Sequence, residues 1–129
     1  MLEGAGYQVR IRERVIVKHP LRRWIVPDLL CVDRDTPPII GENWASNQVR
    51  LILEISRPSG WSRNLLKIWA YKEILDVPIG LAIYMDPIRR DSRELITAFC
   101  RAHNLSLVRL IKGAGSFEMI IPFGVLLLR

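Results

Sequence analysis

One acidic side chain lies in the middle of a run of strand-forming aliphatic residues, LILEIS at 51–56. This residue, Glu54, needs a partner, because burying an unpaired carboxylate costs several kcal/mol. Asp28 lies in the preceding apolar stretch, and Lys67 lies on a following helical pattern, four residues before Tyr71. Two carboxylates and a lysine suit a hard cation and an attacking water, since Mg²⁺ accepts one or two carboxylates and keeps several waters.

The elements around these residues predict how they are positioned. Residues 24–33 and 49–56 are predicted as strands, and the nearly continuous aliphatic character of the second is typical of a strand covered on both faces. A helix is predicted over 62–75 with Ser62 as its N-cap, and another buried strand over 79–85. We expect the three strands to be neighbours in one sheet, with the helix packed on it and a right-handed crossover. The acids and the lysine would then face one cleft. The apolar stripe of the helix is predicted to comprise Leu65, Ile68, Trp69 and Leu75.

The remaining segments are mostly predicted as strands. Residues 7–18 alternate apolar and basic side chains, which predicts one strand. Residues 34–48 contain paired prolines and small polar residues, which predicts a loop. Periodicity leaves 94–102 open between strand and helix. Further strands are predicted over 95–101, 105–112 and 117–129. The pattern as a whole predicts a mixed α/β sheet.

The composition fits one basic globular domain. The chain has 129 residues, enough for a single core, so we expect one domain over 1–129. A formal net charge of +6 and a pI near 9.9 favour a polyanionic partner. Two cysteines, Cys31 and Cys100, are too few for a disulfide framework or a zinc site and indicate a reducing compartment. The start of the chain has no signal-peptide pattern, and the apolar stretch 119–128 is too short to span a bilayer. We therefore expect a cytoplasmic protein without a membrane partner.

Three motifs together resemble the Uma-type restriction endonucleases of the PD-(D/E)xK nuclease superfamily. They are VPDLLCVDRD at 26–35, LILEISRPSG at 51–60 and LLKIWAYKEILDVPIGLAIYMDP at 65–87. Their order and approximate spacing match that family over about residues 7–129. The resemblance implies a restriction-endonuclease-like mixed β-sheet flanked by helices. It also implies hydrolysis of nucleic-acid phosphodiester bonds that depends on Mg²⁺ or Mn²⁺, with DNA as the expected partner. It leaves open whether the protein is a homodimer.

The same resemblance assigns roles to single residues. It implies that Asp28 and Glu54 are the metal-binding carboxylates and that the carbonyl of Ile55 is a further ligand. Lys67 would be the superfamily lysine, moved onto the helix from the strand position now held by Ser56. It would orient the attacking water or stabilise the charge on the phosphate. Phosphate contacts are expected from Arg10, Arg12, Arg14, Arg22, Arg23, Arg57 and Arg63.

The chain departs from the family pattern in four respects, one of which is a segment from Val77-Pro78 to Asp86-Pro87 that is about two residues longer than expected. Arg63 stands where an acid is usual four residues before the helix lysine, and Arg57 stands where a serine is expected. The chain also opens at what corresponds to a later strand, so we expect the family's N-terminal helical region to be absent. These departures leave a second hypothesis open: a catalytically degenerate nuclease-fold domain that binds nucleic acid or a protein partner without cutting. Glu54 would then serve only a structural salt bridge, to Lys67 or Arg50.

Overall fold

A computed structural model gives the fold and describes residues 6–19, 22–111, 113 and 115–123. Within these residues the chain forms two β-sheets and two α-helices. The helices are α1 (Trp61–Ile74) and α2 (Arg90–Ala102). The strands are β1 (Tyr7–Ile11), β2 (Val15–His19), β3 (Arg22–Ile25), β4 (Leu29–Asp33), β5 (Trp44–Ala45), β6 (Val49–Ser56), β7 (Ile79–Tyr84), β8 (Ser106–Ile111) and β9 (Ser116–Ile121). Neither helix of the described ranges is long and apolar enough to cross a membrane.

The larger sheet has six strands in the order β1-β4-β6-β7-β8-β9. Strands β6, β7 and β8 are parallel to one another, and the remaining neighbours are antiparallel. A parallel pair needs a long crossover, and α1 forms the one between β6 and β7. The prediction that β4, β6 and β7 are neighbours with α1 packed against them is confirmed. The architecture is therefore a mixed sheet flanked by helices, as predicted.

Both helices contribute to one hydrophobic core against the sheet. Helix α1 buries Leu65, Ile68 and Tyr71, three residues apart along one stripe. Helix α2 buries Ile96 and Cys100, which are four residues apart. These side chains join the aliphatic residues of the parallel strands in a single cluster. Strands β6 and β7 carry nearly continuous aliphatic sequence, as is typical of central parallel strands, and most of these side chains are buried, although Ile55 and Tyr84 are exposed.

The predicted helix 62–75 is confirmed in extent, but two details differ. Its first residue is Trp61 and its N-cap is Gly60, so the prediction that Ser62 caps the helix is wrong. Trp69 was predicted in the apolar stripe, yet it is 41% exposed, whereas Tyr71 is buried. Successive helical residues are about 100° apart. A residue next to Ile68 therefore points away from the sheet that Ile68 contacts.

The predicted strand 7–18 forms two strands that belong to different sheets. The break falls at Arg12, whose φ of +51° is left-handed and does not continue a strand. Strand β1 joins the larger sheet, while β2 pairs with β3 and β5 in a small second sheet. Glu13, which interrupts the apolar alternation, accepts hydrogen bonds of 2.8 Å from the Trp44 indole and the Arg10 guanidinium. Apolar alternation continues on both sides of the break, so the sequence pattern hides it.

The predicted strand 24–33 is likewise divided, into β3 and β4. The interruption spans 26–28 and contains Pro27, which has no backbone N–H for a ladder hydrogen bond. The predicted loop 34–48 is confirmed for most of its length, but it ends in β5 and a 3₁₀ turn at Ser46–Gln48.

The segment 95–101 lies within α2, so its strand prediction is wrong and the helical alternative for 94–102 is confirmed. The helical period explains the difference, because Ile96 and Cys100 face the core while Leu95 is 62% exposed. The strand predicted over 105–112 is confirmed as β8. The strand predicted over 117–129 is confirmed as far as Ile121, the last residue of β9, whereas residues 122–123 are not in a strand and 124–129 lie outside the described ranges.

Candidate active site

Glu54 lies near the carboxyl end of β6, in the centre of the larger sheet, and its side chain is 0% exposed. Its Oε2 atom accepts a hydrogen bond of 2.8 Å from the backbone N–H of Asp28. Its Oε1 atom lies 3.1 Å from Lys67 Nζ in an ion pair. No donor of the described residues reaches Oε1 with the angles of a hydrogen bond. The central acid of the sequence is therefore buried and only partly satisfied by the protein.

Asp28 lies between Pro27 and the first residue of β4, and its side chain contacts the backbone of β6. Its Oδ2 atom accepts a hydrogen bond of 2.9 Å from the backbone N–H of Ile55. The N–H of Asp28 in turn bonds Glu54, so the two acids are held by reciprocal backbone contacts. Antiparallel pairing of Leu29 with Leu53 sets this register. The structure thus brings together Asp28, Glu54 and Ile55, which the sequence placed in one site.

Lys67 lies on α1 and reaches back over the sheet to Glu54. Its side chain is 39% exposed, so the ammonium contacts both the buried acid and the surface. Its Nζ atom is 5.7 Å from the centre of the Tyr71 ring, one helical turn away, as the i, i+4 spacing predicts. The expectation that all three groups face one cleft is met only in part, because Asp28 and Lys67 reach solvent while Glu54 does not.

The pKa values of the two acids move in opposite directions. Burial and the neighbouring Asp28 carboxyl raise the pKa of Glu54 from 4.5 to about 7, against the lowering effect of the Asp28 N–H and Lys67. Burial also opposes ionisation of Asp28. Contacts with Glu54, the Ile55 N–H, Lys67 and Arg12 nevertheless hold the pKa of Asp28 below its ordinary value. Near neutral pH Asp28 is therefore ionised, whereas Glu54 is protonated in part of the molecules.

Burial disfavours the charge of Lys67, but its contact with Glu54 outweighs this effect and raises its pKa. The lysine is therefore a fixed positive charge, held beside the acids at neutral pH.

Arg12 is a site residue whose role the sequence did not reveal. Its Nη1 atom donates a hydrogen bond of 2.8 Å to Asp28 Oδ1, and its backbone N–H bonds the Asp28 carbonyl at 3.0 Å. The sequence predicted only a phosphate-contacting arginine on a continuous strand. The left-handed backbone at Arg12 brings the side chain to Asp28, and no sequence signal marks such a conformation at a non-glycine residue.

The strand position that the resemblance gives to the superfamily lysine holds Ser56, which is buried. Its hydroxyl accepts a hydrogen bond of 2.8 Å from the Asn64 side chain, which also donates to the Gly60 carbonyl. This pair ties the start of α1 to the end of β6 and so fixes the helix that carries Lys67. Arg63, the departure from the family pattern on α1, is exposed.

An open groove of about 460 Å³ reaches Asp28 from the surface. Arg57 and Arg12 line it, together with the exposed ring of Tyr84. Its other walls are Ile11, Leu29, Ile55 and Ser56. A negatively charged substrate in this groove would meet two guanidinium groups beside the Asp28 carboxylate.

The donor set fits a magnesium-type ion. Mg²⁺ is usually bound by one or two carboxylates and retains several waters, which matches Asp28 and Glu54. Within the described ranges, no group of three or more His, Cys, Asp or Glu side chains is placed to hold a metal ion. The Glu54 Oε1 atom without a hydrogen bond, and the raised pKa of Glu54, both show that this carboxylate would be stabilised by more positive charge.

The six-stranded mixed sheet with its flanking helices is a restriction-endonuclease-like fold. The solved structure of NucC from P. aeruginosa ATCC27853, in its cAAA-bound form, is similar with a TM-score of 0.55 and 10% sequence identity. The likeness covers 94% of this chain and 65% of that chain, so this chain spans less than two thirds of NucC. At such identity the likeness shows the fold. No family model and no curated protein matches the chain, and membership of the Uma-type family stays a prediction.

Proposed function

We propose that this protein is a metal-dependent endonuclease that hydrolyses phosphodiester bonds of nucleic acid, with DNA as the expected substrate. One observation carries the proposal: a fully buried glutamate on a central strand contacts both an aspartate loop and a helix lysine. A structural salt bridge would not need the second acid, whose proximity raises the pKa of Glu54. Keeping the Asp28 carboxyl beside Glu54 lowers the stability of the metal-free protein, and a bound cation would remove this repulsion. The restriction-endonuclease-like fold, similar to that of NucC, supports the same conclusion.

In this proposal Asp28 and Glu54 hold Mg²⁺ or Mn²⁺ through their carboxylates, and the Ile55 carbonyl is a further ligand. When bound, such an ion lowers the pKa of a coordinated water and neutralises charge on the phosphate. The chain's own contribution is the rigid placement of both acids by reciprocal backbone hydrogen bonds. The Ile55 N–H fixes one oxygen of Asp28, which keeps the orientation of this carboxylate constant through turnover.

Lys67 supplies positive charge beside the acid pair. Its ammonium is about three ångström from Glu54 and partly exposed, so it can turn to a phosphate oxygen without leaving the site. The nearby Tyr71 ring favours a cation at this position. Lys67 would therefore stabilise the negative charge that grows on the phosphate, or orient the water that attacks it.

A second candidate function is nucleic-acid binding, or binding of a protein partner, without cleavage. The Arg12–Asp28 ion pair favours it, because a guanidinium already satisfies one oxygen of the predicted metal ligand. Lys67 similarly neutralises Glu54. A domain in which two cations replace the metal would keep the fold and the basic surface but lose hydrolysis.

Cleavage assays with metal and with chelator separate the two functions. Wild-type protein should nick supercoiled plasmid with Mg²⁺ or Mn²⁺ and leave it intact with EDTA. Glu54→Gln keeps the side-chain shape but removes the charge, and it should abolish cleavage. Lys67→Ala should abolish cleavage while leaving metal binding, measured as a metal-induced rise in melting temperature, largely intact. Glu73→Gln, an exposed change on α1, is the matched control and should cut like wild type.

Binding without cutting predicts a different set of results. Metal should not change the melting temperature of the wild type, and affinity for DNA should be the same with EDTA and with Mg²⁺. Salt should weaken that binding, since phosphate contacts displace counterions, while the Glu54→Gln and Lys67→Ala variants should bind like wild type. This outcome would replace the endonuclease proposal by the second function. The homodimer also stays a prediction, which light scattering during gel filtration tests directly.

A further inference from the structure

A second groove, of about 570 Å³, lies between α2 and the last two strands of the larger sheet. Neither acid of the candidate active site lines it, nor does Lys67. Four arginines line it against two glutamates, which leaves an excess of two positive charges. We call it the arginine groove, and its charged residues are Arg90, Arg93, Arg101 and Arg109 with Glu94 and Glu118.

The arginines of this groove are not all neutralised by the protein. Arg109 pairs with Asp86 and with Glu118, and Arg90 pairs with a glutamate one turn along α2. Within the described part of the chain, Arg93 and Arg101 have no acidic partner. The Nε atoms of Arg93 and Arg109 are buried and have no hydrogen-bond acceptor among the described residues. A charged donor held in this way favours an anion with several oxygens, and guanidinium groups match phosphate geometry well.

The spacing of these residues favours an extended anion over a single small one. Arg90, Arg93, Thr97 and Arg101 recur every three or four residues, so they form one row along α2. At 1.5 Å per residue this row is about 16 Å long. That length corresponds to about five nucleotide steps of 3.4 Å along a strand. A free phosphate would occupy only part of such a row.

The arginine groove also begins at the end of the sheet where the acids lie. Parallel pairing places Ser56 beside Ile83 and Ile83 beside Arg109, so Arg109 is two strands away from the residue that follows the acid motif. Neighbouring strands are about 4.8 Å apart, which makes the separation of these backbones about 10 Å. One polyanionic strand of a few nucleotides is therefore long enough to extend from the acid site to the arginine groove.

We propose that the arginine groove binds the phosphate backbone of a nucleic-acid strand that extends from the candidate active site along α2. The proposal rests on the proposed function insofar as the strand is the substrate. Binding in the groove itself needs neither metal nor cleavage. This independence allows the two ideas to be tested separately.

The test measures binding of a fluorescein-labelled single-stranded oligonucleotide of about 16 nucleotides, the upper site size of single-strand-binding folds. Anisotropy titrations in EDTA from about 50 to 200 mM salt give the slope of log affinity against log salt. Arg93→Gln and Arg101→Gln should each lower the magnitude of the slope by about 0.7, the value for one lost phosphate contact on a single strand. Arg89→Gln removes the same charge one residue before α2, outside the groove lining, and should keep the wild-type slope. Arg93→Lys keeps the charge and should restore most of the slope, which separates lost contact from lost folding.

Two results would overturn the proposal. Equal slope changes in all three glutamine variants would mean that only the general charge of the protein matters. Displacement of the oligonucleotide from wild type by equimolar inorganic phosphate would assign the groove to a small anion. Plasmid cleavage by wild type with Mg²⁺ is measured in parallel. Absent cleavage with the expected slopes refutes the endonuclease and supports the groove, whereas cleavage with unchanged slopes refutes the groove alone.

Discussion

Replacement of Glu54 by glutamine should stabilise the metal-free protein at alkaline pH. The folded-state pKa of Glu54 is raised from 4.5 to about 7, so the folded protein binds this proton more tightly than the unfolded chain. The stability that this proton contributes is fully present below pH 4.5 and is lost as pH rises through 7. At about 1.4 kcal/mol per pH unit, the loss amounts to at most about 3 kcal/mol. Glutamine resembles the protonated acid at every pH and avoids this loss.

Urea denaturation in EDTA at about pH 4 and about pH 8 measures the effect. The variant should match wild type at the lower pH and exceed it by up to about 3 kcal/mol at the higher one. Taking the difference between the two proteins removes the contributions of the other carboxylates. The exposed control Glu73→Gln should differ from wild type by no more than about 0.5 kcal/mol at either pH. Mg²⁺ should then stabilise the wild type at pH 8 but not Glu54→Gln, because only the carboxylate holds the ion.

A Glu54→Gln variant that is less stable than wild type at pH 8 without metal would contradict this prediction. Such a result would mean that Glu54 stabilises the fold through its ion pair with Lys67, as an ordinary structural salt bridge does. Stabilisation by glutamine at pH 8 together with an absent Mg²⁺ effect on wild type would keep the electrostatic account and reject the metal site.

Three further predictions follow from single contacts. Arg12→Ala frees Asp28 Oδ1 and should lower the Mg²⁺ concentration that half-saturates the melting-temperature shift. Arg12→Gly should have the same effect on Mg²⁺. It should also be about 1 kcal/mol more stable than Arg12→Ala, because glycine accepts the φ of +51°. Gly80→Ala should lower stability by about 1–3 kcal/mol in urea denaturation, since the added Cβ would lie 3.0 Å from Ser106 Cβ and 3.1 Å from the Phe123 ring. Burial raises the pKa of Cys100 to about 12, so its thiol should not react with a disulfide reagent until urea unfolds the chain, and fast labelling in the native protein would contradict this burial.

The amino-acid sequence was sufficient to predict the central strand and helix of this fold. The continuous aliphatic run around Glu54 predicts strand β6 with its full extent, because a strand covered on both faces has few other compositions. The spacing of Leu65, Ile68 and Leu75 likewise predicts a helix over 62–75, which corresponds to α1, although the same pattern placed Trp69 rather than Tyr71 in the buried stripe. Acids on neighbouring strands lie close together when the register aligns them, and a lysine on the crossover helix can reach the same end of the sheet. The grouping of Asp28, Glu54 and Lys67 could therefore be predicted from the sequence.

The point at which a predicted strand divides into two, and the residues that cover the acids, became clear from the three-dimensional structure alone. The left-handed backbone at Arg12 sends β1 and β2 into different sheets, and the same local sequence would also fit one strand. The pairing of Arg12 with Asp28 follows from that break. Short apolar segments such as 95–101 fit a strand or a helix equally well until the neighbouring strands show which face is covered. Complete burial of Glu54, and with it the raised pKa, results from the packing of α1 over β6, and no local sequence pattern reports that packing.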